Sequence, residues 1–288
     1  MNRLKRALFY SIGGCLCYSL VSCISFSLES KFSLPQIIFF QEFIALILLV
    51  PYMIRQKQSF KTPHFRTHLI RDLAALFAAF FWLMSLKSLH LVNAAVLQFT
   101  SPFYVPYLAW AWYRDPIPRG IWKAMAIGFI GVAIILRPNA AIIHEGALWG
   151  ILTGLTSAVG LTALRQLTLK GESAIRMMFY LFLTGSVLTF PFAIANWVVP
   201  SGSEWTFLIL LGVCFLLNNI LLTLSFRHAS ASYLAPISYI AVLFNGYFGW
   251  LFFQKAIDKP TIVGSILIVI GTSLIFFLKD KREVATNG

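Results

Sequence analysis

The apolar residues of this chain come in long runs. Short clusters of basic, polar, Pro and Asn residues separate them. A helix rising about 1.5 Å per residue needs roughly 20 apolar residues to cross the hydrocarbon core of a bilayer. On that measure the sequence predicts ten transmembrane helices, at about 7–27, 34–54, 69–89, 92–112, 120–137, 146–166, 175–196, 205–225, 231–253 and 260–278. Two boundaries rest on turn signals rather than on charge. Leu89-His90-Leu91-Val92-Asn93 divides spans three and four, and Arg137-Pro138-Asn139 closes span five.

Composition narrows the class further. Of 288 residues 59% are hydrophobic and 11% charged, against about 25% charged in a soluble domain. Mean hydropathy is +0.79. A water-soluble enzyme, a disordered protein and a disulfide scaffold are excluded, and ten spans leave only short loops. The net charge of +13 would point to nucleic acid in a soluble chain. Here the basic residues sit between apolar runs, where they meet headgroups and set orientation, so no nucleic-acid partner is expected. With the N-terminus inside, 18 of the 23 Lys and Arg residues fall on the inner side. Both termini are therefore expected to be cytoplasmic. Arg3, Lys5 and Arg6 before an apolar stretch ending Leu20-Val21-Ser22-Cys23 resemble a lipoprotein signal. The length of that run and the nine spans after it favour a retained first helix. Cys15, Cys17, Cys23 and Cys214 read as small core hydrophobes without metal-ligand spacing.

The two halves are alike. A shift of 140 residues lays Gly131 on Gly271 and Ala124 on Gly264. The expected domains are 1–140 and 141–288, five spans each. Five is odd, so the second half must enter the membrane from the opposite side, as in transporters built from inverted repeats. Gly146, Gly150 and Gly154, and Ala74, Ala75, Ala78 and Ala79, mark close-packed helix faces. Pro102, Pro106, Pro191 and Pro236 each remove a backbone donor, giving a plain kink or a bend beside a cavity.

Polar groups in hydrocarbon are costly, about 3 kcal/mol for a charge at mid-span, so each is a candidate. Gln41 and Glu42 lie within span two. Glu42 is either a structural acid or a cavity group that pairs with a cationic substrate or carries a proton. Gln98, Ser101 and Pro102 share a face of span four, with Tyr104 nearby. Asn218 and Asn219 lie mid-span in span eight, and Ser238 and Tyr239 follow Pro236 in span nine. Interhelical hydrogen bonding and ligand binding are both open for these groups. Trp82 and Tyr18 are candidates to wall a cavity or to pack in the core. Arg71 and Asp72 are expected as an interfacial pair, and Arg165 and Arg227 as anchors. His64, His68, His90, His144 and His228 fall in loops or at span ends. No phosphate-cradling loop, HExxH or Ser/His/Asp arrangement occurs. An enzyme is not expected, nor transport driven by ATP on this chain.

Several segments carry a family resemblance. They are Leu34-Pro35-Gln36-Ile37-Ile38-Phe39-Phe40, Leu86-Lys87-Ser88-Leu89 before Asn93-Ala94-Ala95, and Phe99-Thr100-Ser101-Pro102-Phe103-Tyr104-Val105-Pro106. Gly128 to Pro138, Ala229 to Tyr239 and Gly249-Trp250-Leu251-Phe252-Phe253 complete the set. In order and spacing the chain resembles the drug/metabolite transporter superfamily, EamA type, over about residues 7–278. The resemblance implies an all-α fold of ten helices in two inverted five-helix repeats, a central cavity and no covalent cofactor. It looks most like the bacterial branch containing S-adenosylmethionine importers, which also resembles exporters of amino acids and amino-acid-derived metallophores. There are departures. Many relatives have an arginine where Gln41 stands, before Glu42. The acidic residue ending the fourth helix survives as Asp115 in the first half, but Gln254-Lys255 replaces it in the second. A lost arginine beside a gained glutamate disfavours an anionic substrate.

The expected function is alternating-access transport of a small polar, zwitterionic or cationic metabolite across the bacterial inner membrane. The site is expected among Glu42, Gln41, Gln98, Ser101, Tyr104, Asn218, Asn219, Ser238, Tyr239 and Trp82. Expected partners are the substrate and the bilayer, with coupling to a proton or a substrate gradient, in a monomer or homodimer and with no metal. Export of amino acids, metallophores or drugs is an alternative. So is a non-transporting receptor or scaffold, or a channel, for which the chain offers no ring of like polar groups.

Overall fold

The computed structural model describes residues 3–88, 96–115, 117, 120–138, 145–254 and 259–277. Among the described residues every long element is a helix: α1 (Arg3–Leu28), α2 (Leu34–Arg55), α3 (Phe65–Ser88), α4 (Ser101–Tyr113), α5 (Ile121–Leu136), α6 (Glu145–Leu169), α7 (Ala174–Ile194) and α8 (Gly202–His228). The ninth, α9 (231–253), is broken into Ala231–Leu234, a 3-10 turn Ala235–Tyr239, and Ile240–Phe253, and α10 is Lys259–Phe277. A short helical turn at 96–98 precedes α4. Six of these (α1, α2, α6, α7, α8 and α9) are long and apolar enough on their own to cross a membrane.

Local chemistry sets the ends. Pro35 and Pro102 stand in the first turns of α2 and α4, where the missing N–H costs nothing. Ser201 and Glu204 form a capping box at the start of α8. Both α4 and α9 end on a left-handed residue, Arg114 (φ 56°) and Gln254 (φ 52°). These two positions are related by the same 140-residue shift as Gly131 and Gly271.

Helix pairing follows an exchange of halves. α3 packs on α6 as α1 packs on α8, and α1 meets α9 as α6 meets α4; α2–α7 and α5–α10 are self-related pairs. The α5–α10 contact shows the axis. A Cβ on Gly131 would lie 2.6 Å from the Gly264 carbonyl oxygen, and one on Gly271 would lie 2.8 Å from that of Ala124. Exchanging the halves turns the first contact into the second. The order along the partner is reversed, so the two helices run antiparallel, as an inverted repeat requires. In lipid, backbones held this close gain packing that larger residues would prevent.

Polar contacts tie each end. At one end Gln36 donates from Nε2 to the Val198 carbonyl at 2.6 Å and accepts from the Val198 N–H at 3.1 Å, and Lys31 meets Glu204 at 2.5 Å. At the other, Glu172 between α6 and α7 accepts from the Thr62 hydroxyl and from Arg176, each at 2.5 Å, with His68 at 3.6 Å. Burial pushes the Glu172 carboxyl up, but the Thr62 bond and the Arg176 charge outweigh it and hold it below the usual carboxylate range.

Arg71, Asp72 and Arg165 depart from the interfacial role the sequence predicts. All three are buried. Helix α3 begins at Phe65, not near 69, so Arg71 and Asp72 stand two turns inside it. Arg71 donates to the Met177 carbonyl at 2.6 Å. Arg165 donates to the Phe226 carbonyl, and Arg227 to the Glu172 carbonyl at 3.2 Å. Long side chains that were expected to reach out to headgroups instead join helices.

Candidate functional site

Two cavities concern the candidate residues. The larger, about 270 Å³, lies between α1, α4, α6, α8 and α9. Its position follows from two broken helices, one in each half. In span four the residues before Pro102 form a turn, with the Thr100 hydroxyl on the Leu97 carbonyl at 2.6 Å. In span nine Pro236 lies in the 3-10 turn, and the Ser238 hydroxyl donates to the Ala235 carbonyl at 2.8 Å. Pro106 and Pro191, by contrast, lie inside continuous helices. Irregular backbone at membrane depth is tolerated where it borders a cavity, and both breaks do.

Helix periodicity decides which polar groups face this space. Gln98, Ser101, Pro102 and Val105 recur at intervals of three and four and line it, as do Asn218, Leu222 and Phe226 on α8. Asn219, about 100° further round, is buried and donates from Nδ2 to the Phe215 carbonyl at 3.0 Å. Ser238 lines the cavity, whereas Tyr239 is fully buried against Gly128. Tyr18, in the middle of α1, is 40% exposed because it borders the cavity. Among the described residues the lining therefore offers hydroxyls, amides and a phenol, and no charged side chain. Val105, Phe226 and Leu234 of the lining also belong to an apolar cluster with Leu8 and Ile237.

The second cavity, about 190 Å³, lies between α2, α3 and α7 and contains Glu42. Its walls are mainly apolar, with Asp72, Thr184 and Gly185 beside Glu42. The structure thus separates Glu42 from the amide groups. Gln41, Tyr104 and Trp82 line neither cavity. Tyr104 packs against the apolar cluster that includes Leu8 and Ile237. His90, Asn93 and Lys255 lie outside the described residues.

Sequence reading missed Ser11, Gly14, Cys15 and Ser157 in the larger cavity, and Asp72, Thr184 and Gly185 in the smaller. Only Asp72 carried a signal, a charge inside a helical run.

Two antiparallel-related halves of five helices around a central polar cavity define a multi-pass membrane transporter of the inverted-repeat class. The EamA-like transporter family model matches residues 5–137 and 144–277, and the chain belongs to this family. It is a transporter and not an enzyme. It is 27% identical to the pseudopaline exporter CntI of Pseudomonas aeruginosa, over 84% of this chain and 86% of that protein. It is 27% identical to the S-adenosylmethionine uptake transporter of Rickettsia felis, over 85% and 84%. The riboflavin transporter of Vibrio cholerae is 26% identical, over 88% and 87%. One solved crystal structure superimposes with a TM-score of 0.81 at 16% identity, covering 93% of this chain and 95% of that one.

Proposed function

We propose that this chain carries a small zwitterionic, amino-acid-derived metabolite across the bacterial inner membrane by alternating access through the central cavity. The observation that carries the reading is the lining of that cavity. Gln98, Asn218, Ser101, Ser238 and Tyr18 can both donate and accept hydrogen bonds, and among the described residues no charged side chain lines the cavity to select an anion or a cation. Groups of this kind suit a ligand that bears both charge signs. By its name one relative takes up S-adenosylmethionine, which carries an amino-acid group. The Tyr18 ring adds a face on which a sulfonium or ammonium group rests by cation–π attraction.

Both termini are cytoplasmic in this reading, on the Lys and Arg distribution. The test is uptake of labelled S-adenosylmethionine by cells expressing the chain, beside Gln98→Ala and Asn218→Ala. Saturable uptake weakened in both variants is expected. Uptake equal to that of empty cells, with the protein confirmed in the membrane, counts against import and moves the reading to export. Export is the second reading, favoured by the likeness to the pseudopaline exporter.

A further inference from the structure

The smaller cavity holds an unusual group of charges. Glu42 of α2 is 8% exposed and Asp72 of α3 is 4% exposed. Each leaves one carboxylate oxygen, Oε2 of Glu42 and Oδ1 of Asp72, buried without a hydrogen-bond partner. Both side chains line the same cavity. The other Asp72 oxygen accepts from the Thr184 hydroxyl at 3.3 Å. Arg71 is buried beside them and interacts electrostatically with both, but its Nη1 is held on the Met177 carbonyl.

We propose that Glu42 and Asp72 form a proton site, separate from the central cavity, that holds one proton between the two carboxylates and couples its uptake and release to transport. Charge counting supports a proton. Two carboxylates and one guanidinium leave a net charge of −1 in an apolar space, where a charge costs about 3 kcal/mol. One added proton brings the sum to zero and gives an orphan oxygen a donor to share. A metal ion would meet only two carboxylates and a hydroxyl, with a guanidinium against it.

Among the described residues other charged groups do not intrude. Helix α7 contributes the neutral Thr184 and Gly185. Behind α3, α6 brings Gly160 to the Arg71 backbone, and its Arg165 is turned to Phe226. Behind α2, α8 places Gly212 on Ile44, and its Cys214 is buried among apolar residues. His68, one turn before Asp72, faces Glu172.

The site also straddles the repeats. Glu42 and Asp72 belong to the first half, Thr184 and Gly185 to the second. A Cβ on Gly185 would lie 2.7 Å from Glu42 Cδ, so α7 closes directly on the carboxylate. Movement of one repeat against the other changes this contact and with it the affinity for the proton. Such differential affinity is what lets a bound ligand shift an equilibrium between two states. The inference rests on the alternating-access reading above.

The experiment is an infrared pH titration of the purified full-length protein in lipid nanodiscs, from acid to alkaline pH, with Glu42→Gln and Asp72→Asn. A carboxylic-acid C=O band that titrates in the wild type and is lost in each variant is expected. Absence of the band, its survival in both variants, or its removal by sodium at constant pH overturns the proposal. Both substitutions keep side-chain shape, and each variant is checked for a single folded species. A second arm uses S-adenosylmethionine as probe in proteoliposomes with the membrane potential clamped. One proton per substrate gives about tenfold accumulation for one pH unit, lost in Glu42→Gln. Failure of wild-type exchange of S-adenosylmethionine removes that substrate, while the infrared arm still decides the proton site.

Discussion

The crossing of α5 and α10 offers a sharp mechanical test of the fold. A methyl group on Gly131 would sit 2.6 Å from the Gly264 carbonyl oxygen and 2.9 Å from Ile268 Cγ1. A methyl on Gly264 would sit 2.5 Å from the Gly131 carbonyl oxygen and 2.5 Å from Ile135 Cγ1. Ordinary contact begins near 3.4 Å, and backbone atoms cannot turn away as a side-chain end can. Either alanine must push the helices apart by nearly an ångström. Overpacking of this kind costs about 1–3 kcal/mol, roughly a 5- to 150-fold loss in the ratio of native to denatured protein. Gly246 has nothing within 4 Å of its Cβ position, so Gly246→Ala is the control. The assay is thermal unfolding of each purified variant in one detergent, read by loss of the monodisperse species. Gly131→Ala and Gly264→Ala should both lower the midpoint, and together by less than the sum, since the first separation relieves the second clash. Midpoints equal to that of Gly246→Ala would refute the close crossing and with it the packing evidence for the inverted repeat.

Three further outcomes are expected. Gln98→Ala and Asn218→Ala should each remove a hydrogen bond to the substrate worth about 0.5–1.5 kcal/mol, seen as a roughly 2- to 12-fold higher half-saturation concentration in S-adenosylmethionine counterflow. Glu172 is held below its ordinary value of 4.5, so its contribution to stability is present above that pH and lost as the pH falls through the lower folded value; Glu172→Gln should flatten the acid limb of a plot of unfolding midpoint against pH. Cysteines at Lys57 and Lys259, in a background without the four native cysteines, should label from opposite sides of the membrane, Lys57→Cys from the cytoplasm; labelling of both from one side would break the ten-span topology.

The ten helices were legible because crossing a bilayer demands apolar length, and length is written in the sequence. The break at Pro236 was less so: a missing N–H marks Pro106 and Pro191 just as plainly, and both of those lie inside continuous helices. The partition of the polar residues was not. Asn218 and Asn219 look equivalent in the sequence, yet a 100° step sends one to the cavity and the other to the Phe215 carbonyl. Glu42 stood out by depth, but nothing along the chain says that α2 packs on α7 rather than beside α4 and α9. Its neighbours Thr184 and Gly185 are ordinary residues in an apolar run, and only the pairing of halves gives them a role. Arg71 and Asp72 look interfacial in the sequence because Arg66, Thr67 and His68 disguise the first turn of α3 as loop. The small cavity-lining residues Ser11, Gly14 and Ser157 are what close-packed membrane helices use everywhere, so they gave no signal above that background.

Transport in this reading depends on the central cavity as the path of the substrate. The most direct measurement places a single cysteine there, Ser157→Cys, in the background without native cysteines, and follows S-adenosylmethionine counterflow in proteoliposomes before and after reaction with a bulky polar maleimide. Saturable counterflow should be lost on modification and preserved when excess substrate is present during the reaction. Counterflow that continues unchanged after complete modification would show that the substrate travels elsewhere.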